Sequence, residues 1–84
     1  MMPLHFLKTL RCLTLIAVLY AKTSTDSLFN FFVNKYSEGK YDSAIIAGNA
    51  LVNLEPYNPF FLYNLGNAYF RSGDIASAIL YYEK

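Results

Sequence analysis

The chain has 84 residues, room for one small domain at most, with 18% aromatic side chains, only 15% charged ones and a formal net charge of +1. It shows no clustered Lys/Arg face of the kind that a nucleic-acid surface requires. Cys12 is the only cysteine, which leaves neither an intrachain disulfide nor a thiolate metal site to the chain.

Residues 1–21 read as a secretory signal peptide. Lys8 and Arg11, with His5, form a positive leader, the run CLTLIAVLYA from Cys12 to Ala21 forms the apolar region, and Ala21 is the small residue before the cut, with Leu19 at the −3 position. The competing reading is a retained anchor. A spanning helix needs about 20 apolar residues, and extending this run backward meets Arg11 and Lys8. Thr9-Leu10-Arg11 precedes Cys12 and the apolar run follows it, the reverse of a lipid-attachment order. Residues 22–84 are therefore expected outside the cytoplasm, in the periplasm or cell envelope. They carry five basic and six acidic side chains, so electrostatics does not choose their partner.

Residues 22–26, KTSTD, are a polar spacer, and Thr25, Asp26 or Ser27 is the expected N-cap of a helix starting near Leu28. That helix, with Leu28, Phe31, Phe32 and Tyr36, is expected to stop at Ser37-Glu38-Gly39. Its partner runs from Tyr41 to Asn53, with Ala44, Ile45, Gly48, Leu51, Val52 and Leu54 turned inward or toward the next unit. Pro56 and Pro59 bracket the connection that follows, since proline disfavours helix at and before its own position.

Residues 62–82, LYNLGNAYFRSGDIASAILYY, form the stretch with the sharpest pattern. Leu62, Leu65, Tyr69 and Phe70 recur at three- and four-residue steps as one apolar stripe of a helix. Gly73 is placed to close that helix in the left-handed conformation, and Asp74 to cap the next. Ile75, Ala78, Ile79 and Tyr82 are then the expected facing stripe. Leu62-x-x-Leu65-Gly66-x-x-Tyr69 followed by Ala78-x-x-x-Tyr82 resembles the tetratricopeptide (TPR) pattern, with Leu in place of Trp and Tyr in place of Phe. A spacing of 34 residues, the period of that repeat, relates Leu28 to Leu62, Phe31 to Leu65, Gly39 to Gly73, Tyr41 to Ile75, Ala44 to Ala78 and Ile45 to Ile79, and Pro56 falls where the pattern closes. The fold class is thus all-α: TPR helix–turn–helix hairpins, the start of an α-solenoid, with repeat 1 at 25–58 and repeat 2 at 59–84.

The first repeat departs from the second. Phe32 stands where Gly66 stands, Lys35 where Tyr69 stands and Gly48 where Tyr82 stands, so Phe32 is expected to fill the space that Gly48 leaves. An atypical first repeat fits a terminal, capping position. The second repeat stops short of its closing proline, and two repeats give a small core. The sequence is accordingly expected to be a fragment of a longer protein.

No catalytic set is legible. His5, the only histidine, lies in the leader, and Asp26, Glu38, Asp42, Glu55, Asp74 and Glu83 fall mainly at helix ends and turns, where solvated capping roles suffice. Neither an enzyme nor a cofactor is expected. Asn64-Leu65-Gly66-Asn67 lies within a helix with no strand before it and is no phosphate loop. The usable surface of a TPR hairpin is the concave face of its first helices. Tyr63, Asn64, Asn67, Phe70 and Arg71 are the candidate partner-binding residues, beside Phe60, with Asp26, Phe29, Val33 and Tyr36 as their counterparts in repeat 1. Such a face suits an extended or helical peptide. The bland alternative is that Phe60 and Phe70 pack on neighbouring helices while the two amides are merely solvated. TPR domains that clamp the C-terminal carboxylate of chaperones use a Lys and an Asn in the first helix, and Phe29 and Val33 stand there, so that clamp is not expected.

The segment Asn34–Lys84, and above all GNAYFR-x-GD-x-x-x-AILYYEK, resembles the exported BatE-type TPR proteins of bacterial aerotolerance operons. That resemblance implies a non-catalytic adaptor in a membrane-associated complex with von Willebrand A-type proteins, touching the membrane only through the N-terminal segment or a missing C-terminal part. The alternative is the accessory TPR module of an envelope enzyme whose catalytic part lies beyond residue 84.

Overall fold

The computed structural model describes residues 24–84, so the expected signal peptide and Cys12 lie outside the described residues. Four helices follow one another: α1 over 24–37, α2 over Tyr41–Leu54, α3 over Pro59–Ser72 and α4 over Ile75–Glu83. Among the described residues there is no strand, and no helix is long and apolar enough to cross a membrane.

The period of 34 is visible in the turns themselves. At the end of α1 the Gly39 N–H donates to Tyr36 O (3.1 Å) and the Lys40 N–H to Lys35 O (2.9 Å). At the end of α3 the Gly73 N–H donates to Phe70 O (3.1 Å) and the Asp74 N–H to Tyr69 O (3.0 Å). Both are the paired closure of a Schellman motif, which needs a left-handed residue, and Gly39 and Gly73 supply it at φ 76° and 95°. The helix starts are less alike. Asp74 caps α4 by accepting from the Ser77 N–H at 3.1 Å and from the Ser77 hydroxyl at 2.7 Å, whereas Lys40, its counterpart, has no side-chain cap bond. Between the hairpins Asn58 accepts from the Phe60 N–H at 3.0 Å, and Pro59 occupies the first helical position, where its missing N–H costs no bond.

One expectation fails at the start. Thr25, Asp26 and Ser27 lie within α1 and do not mark its N-cap, and the helix is already formed at residue 24. Capping chemistry is only a preference, and polar residues on a solvated first turn do not break a helix.

The core is built where α1, α2 and α3 meet: Phe32, Ala44, Ala47, Leu51, Phe61 and Ala68 are buried together, with Leu28, Phe29, Tyr36, Ile45 and Val52 packed around them. Ala44, Ala47 and Gly48 make one slender side of α2, so two helices approach it closely. The exchange of bulk between repeats is borne out. A Cβ built at Gly48 would stand 2.8 Å from Leu65 Cδ1 and 3.2 Å from the Phe32 ring, and one at Gly66 would stand 2.5 Å from the Tyr82 ring. Large and small residues have changed places across the hairpin: Phe32 over Gly48 in the first, Tyr82 over Gly66 in the second. Leu65 is fully buried, a burial that contributes about 1.5–3 kcal/mol.

Several predicted stripes need correction. Ile75 and Ile79 do not face α3; both are exposed, and α4 docks through Ala78 with Ser77 and Tyr81 partly covered. Phe70 and Leu54 are exposed as well. Phe61, unassigned by the periodicity, is buried in their stead. Phe31 is 46% exposed although Leu65, its counterpart, is sealed: α2 covers Leu65, and no described helix covers the same side of α1.

Candidate functional site

The five candidate residues lie on α3, and their steps of one, three and four place Tyr63, Asn64, Asn67, Phe70 and Arg71 along one side of the helix. That side is opposite the buried Phe61, Leu65 and Ala68. Tyr63 is 61% and Phe70 54% exposed. The stripe is shared unequally between its neighbours. Toward α4, the Tyr82 hydroxyl donates to Asn67 Oδ1, and the Tyr63 and Tyr82 rings stand 5.7 Å apart. Toward α2, Arg71 Nε donates to the Tyr41 hydroxyl at 3.4 Å, and its guanidinium lies 5.8 Å from the centre of the Tyr41 ring. Asn64 turns back on its own helix and donates to Phe60 O at 2.7 Å.

The electrostatics follow from these contacts. The hydrogen bond to Tyr41, and then its electrostatic interaction with that side chain, hold Arg71 above its ordinary value, and a guanidinium is a cation in any case. Partial burial first, and then neighbouring Tyr63, push the Tyr82 phenol up, so it remains a neutral donor to Asn67.

Of the counterparts in the first hairpin, Phe29 and Tyr36 pack rather than project. The Phe29 ring stands 5.2 Å from Phe60 and 6.0 Å from Phe61, joining α1 to α3, and Tyr36 lies against Phe32 and Tyr41 at 6.0 and 5.5 Å. Phe60 thus has a packing contact, as the bland reading held, while Val33 is exposed and Asp26 sits on the exposed first part of α1.

Two hollows border the stripe. A cavity of about 680 Å³ opens between the start of α3 and the end of α4, lined by Pro56, Tyr57, Pro59, Leu62, Tyr63, Tyr81, Tyr82 and Lys84. A shallower one of about 430 Å³ lies against Arg71 and the segment Gly39–Ser43. The first contains only Tyr63 of the candidates. The sequence reading missed Tyr57 and Tyr81, although two prolines around an exposed tyrosine and the Tyr81-Tyr82 pair at the far end of the hairpin were a legible signal. Tyr81 stacks on Tyr69 (5.5 Å, 9°), and the Lys84 ammonium stands 4.7 Å over its ring. The arrangement offers aromatic faces, amides and the cations Arg71 and Lys84, each held against a tyrosine ring, a chemistry of binding. Among the described residues no group of His, Cys, Asp or Glu could hold a metal ion.

Residues 59–84 match the family model of the tetratricopeptide repeat. With the all-helical hairpin fold, this match supports a TPR protein, and TPR units are typically non-catalytic modules that bind other proteins or peptides. Comparison with curated proteins and with solved structures gives no match.

Proposed function

We propose that this chain is an exported, non-catalytic TPR adaptor of the BatE type, which holds a partner protein in the bacterial cell envelope along the exposed side of α3. The observation that carries the reading is that one helix presents Tyr63, Asn67, Phe70 and Arg71 on a single exposed side while its other side is locked into the core. A rigid scaffold with aromatic faces and oriented polar groups binds a peptide with little ordering cost to itself. The signal-like residues 1–21 support export, and the BatE resemblance supports a von Willebrand A-type protein as the partner. In this reading 25–58 is the capping repeat and 59–84 the recognition repeat.

The test is capture of a recombinant von Willebrand A-type domain by this chain. Phe70→Ala with Arg71→Ala removes the exposed ring and the cation without touching the core. Capture is expected to fall by more than about tenfold, as for the anchor residues of an interface, with unchanged far-UV circular dichroism. Undiminished capture by the double variant would remove the α3 stripe from the account.

A further inference from the structure

The shallow hollow at the C-terminal end of α3 lies between the two hairpins, where Arg71 and Ser72 face the segment Gly39–Ser43 across about 430 Å³. Both limits of the described chain lie at the other end of the helices. Residue 24 begins α1 about 20 Å before that turn, and Lys84 sits with Pro56 and Pro59 near the start of α3. Two cations and one carboxylate line the hollow: Lys40, Arg71 and Asp42. The spacing of 34 puts Lys40 where the second turn carries Asp74, so a cation replaces a carboxylate there. Lys40 already meets Glu38 at 3.3 Å. Asp42 lies in the first turn of α2, where the helix dipole favours it, and it pairs with neither cation. Arg71 is thus left without an acid among the described residues. Its Nε–H is engaged by the Tyr41 hydroxyl at 3.4 Å, and its guanidinium stands 5.8 Å from the centre of that ring. Held in this way, it keeps its two terminal nitrogens for a carboxylate, which such a fork takes in parallel hydrogen bonds.

We propose that the segment bound along α3 is acidic, and that an Asp or Glu side chain of the partner enters this hollow and pairs with Arg71. The inference rests on the reading of α3 as the partner-binding side and adds the chemistry of what binds there. Charge complementarity carries it: an oriented cation with no acid of its own borders a space open to solvent. The hollow is shallow, so a passing chain can lower a side chain into it without ending there. Phe70, the next residue and 54% exposed, gives an apolar neighbour of that acid a ring to lie on.

The test is selection from a library of random linear peptides on the full 84-residue chain. The peptides are fused to phage at their C-termini, so no free terminal carboxylate is offered. Enriched sequences are expected to share an Asp or Glu at one fixed position. The best binder is then synthesised with an amidated C-terminus, and its affinity is measured by fluorescence anisotropy. Replacing the shared acid by its amide is expected to weaken binding about fivefold, the upper scale of an exposed pair. On Arg71→Gln the acid and amide peptides are expected to bind alike, whereas Phe70→Ala weakens both. Enrichment without an acid, or an acid effect that survives Arg71→Gln, overturns this inference and leaves binding along α3 standing. So does an acid effect that appears only when the C-terminus is left free. No enrichment at all, or binding that neither variant alters, overturns the α3 reading together with it.

Discussion

At the scale of the residue, Asp74 shows how one side chain links sequence, cap and pH. It closes the α4 N-terminus through Ser77, whose hydroxyl first and whose N–H second hold the Asp74 carboxyl below its ordinary value. A carboxylate with a depressed folded value stabilises above the unfolded value, near 3.8 here, and the effect is lost as pH falls through the lower folded value. Acid titration followed by far-UV circular dichroism is therefore expected to show helicity falling below about pH 4. Asp74→Asn keeps the cap but carries no charge, so it is expected to blunt that acid loss without removing it. Glu38 still contributes with the same sign, being lowered first by its hydrogen bond to Lys40 and then by the charge of Lys35. Identical acid profiles for the two proteins would contradict the role given to Asp74. This cap was legible in Gly73-Asp74 because closure and capping are local chemistry. The same local logic misled at Thr25–Ser27, where nothing nearby obliges a helix to begin.

At the scale of the element, the exchanged pairs Phe32/Gly48 and Tyr82/Gly66 make unequal demands. An alanine at Gly48 meets Leu65 and Phe32, both buried and held from several sides. Overpacking of that kind costs about 1–3 kcal/mol. An alanine at Gly66 meets only the half-exposed ring of Tyr82, which has solvent to swing into, and the helix gains about 1 kcal/mol of propensity. Chemical denaturation is expected to rank Gly48→Ala clearly below Gly66→Ala, with the latter near the parent; equal losses would contradict this packing. The exchange was readable in the sequence because a period of 34 aligns Phe32 with Gly66 and Gly48 with Tyr82. Burial was less readable. Helical spacing puts Phe70 on the apolar stripe and leaves Phe61 off it, but α1 reaches across to Phe61 through Phe29, a contact between residues 32 apart in the chain. Ile75 and Ile79 carry the same lesson: their counterparts Tyr41 and Ile45 are half-buried beneath a third helix, and that covering is tertiary information.

At the scale of the whole molecule, two hairpins share one turn chemistry and one spacing, and α3 stands between α2 and α4 with its free side outward. The candidate stripe was legible as a face, since the spacing of Tyr63, Asn67, Phe70 and Arg71 fixes their direction. Its division was not, because the attachments of Arg71 to Tyr41 and of Asn67 to Tyr82 join residues 30 and 15 apart. The second helices also show an apolar surface at equivalent places, the exposed Ile46 and Leu80. The most direct measurement is therefore a comparison of the two sides. A photo-reactive amino acid is placed at Phe70 or at Ile46 in the chain, and the partner is the recombinant von Willebrand A domain. A covalent adduct is expected from position 70 and none from position 46. An adduct from position 46 alone would place binding on the second helices and rule out binding along α3.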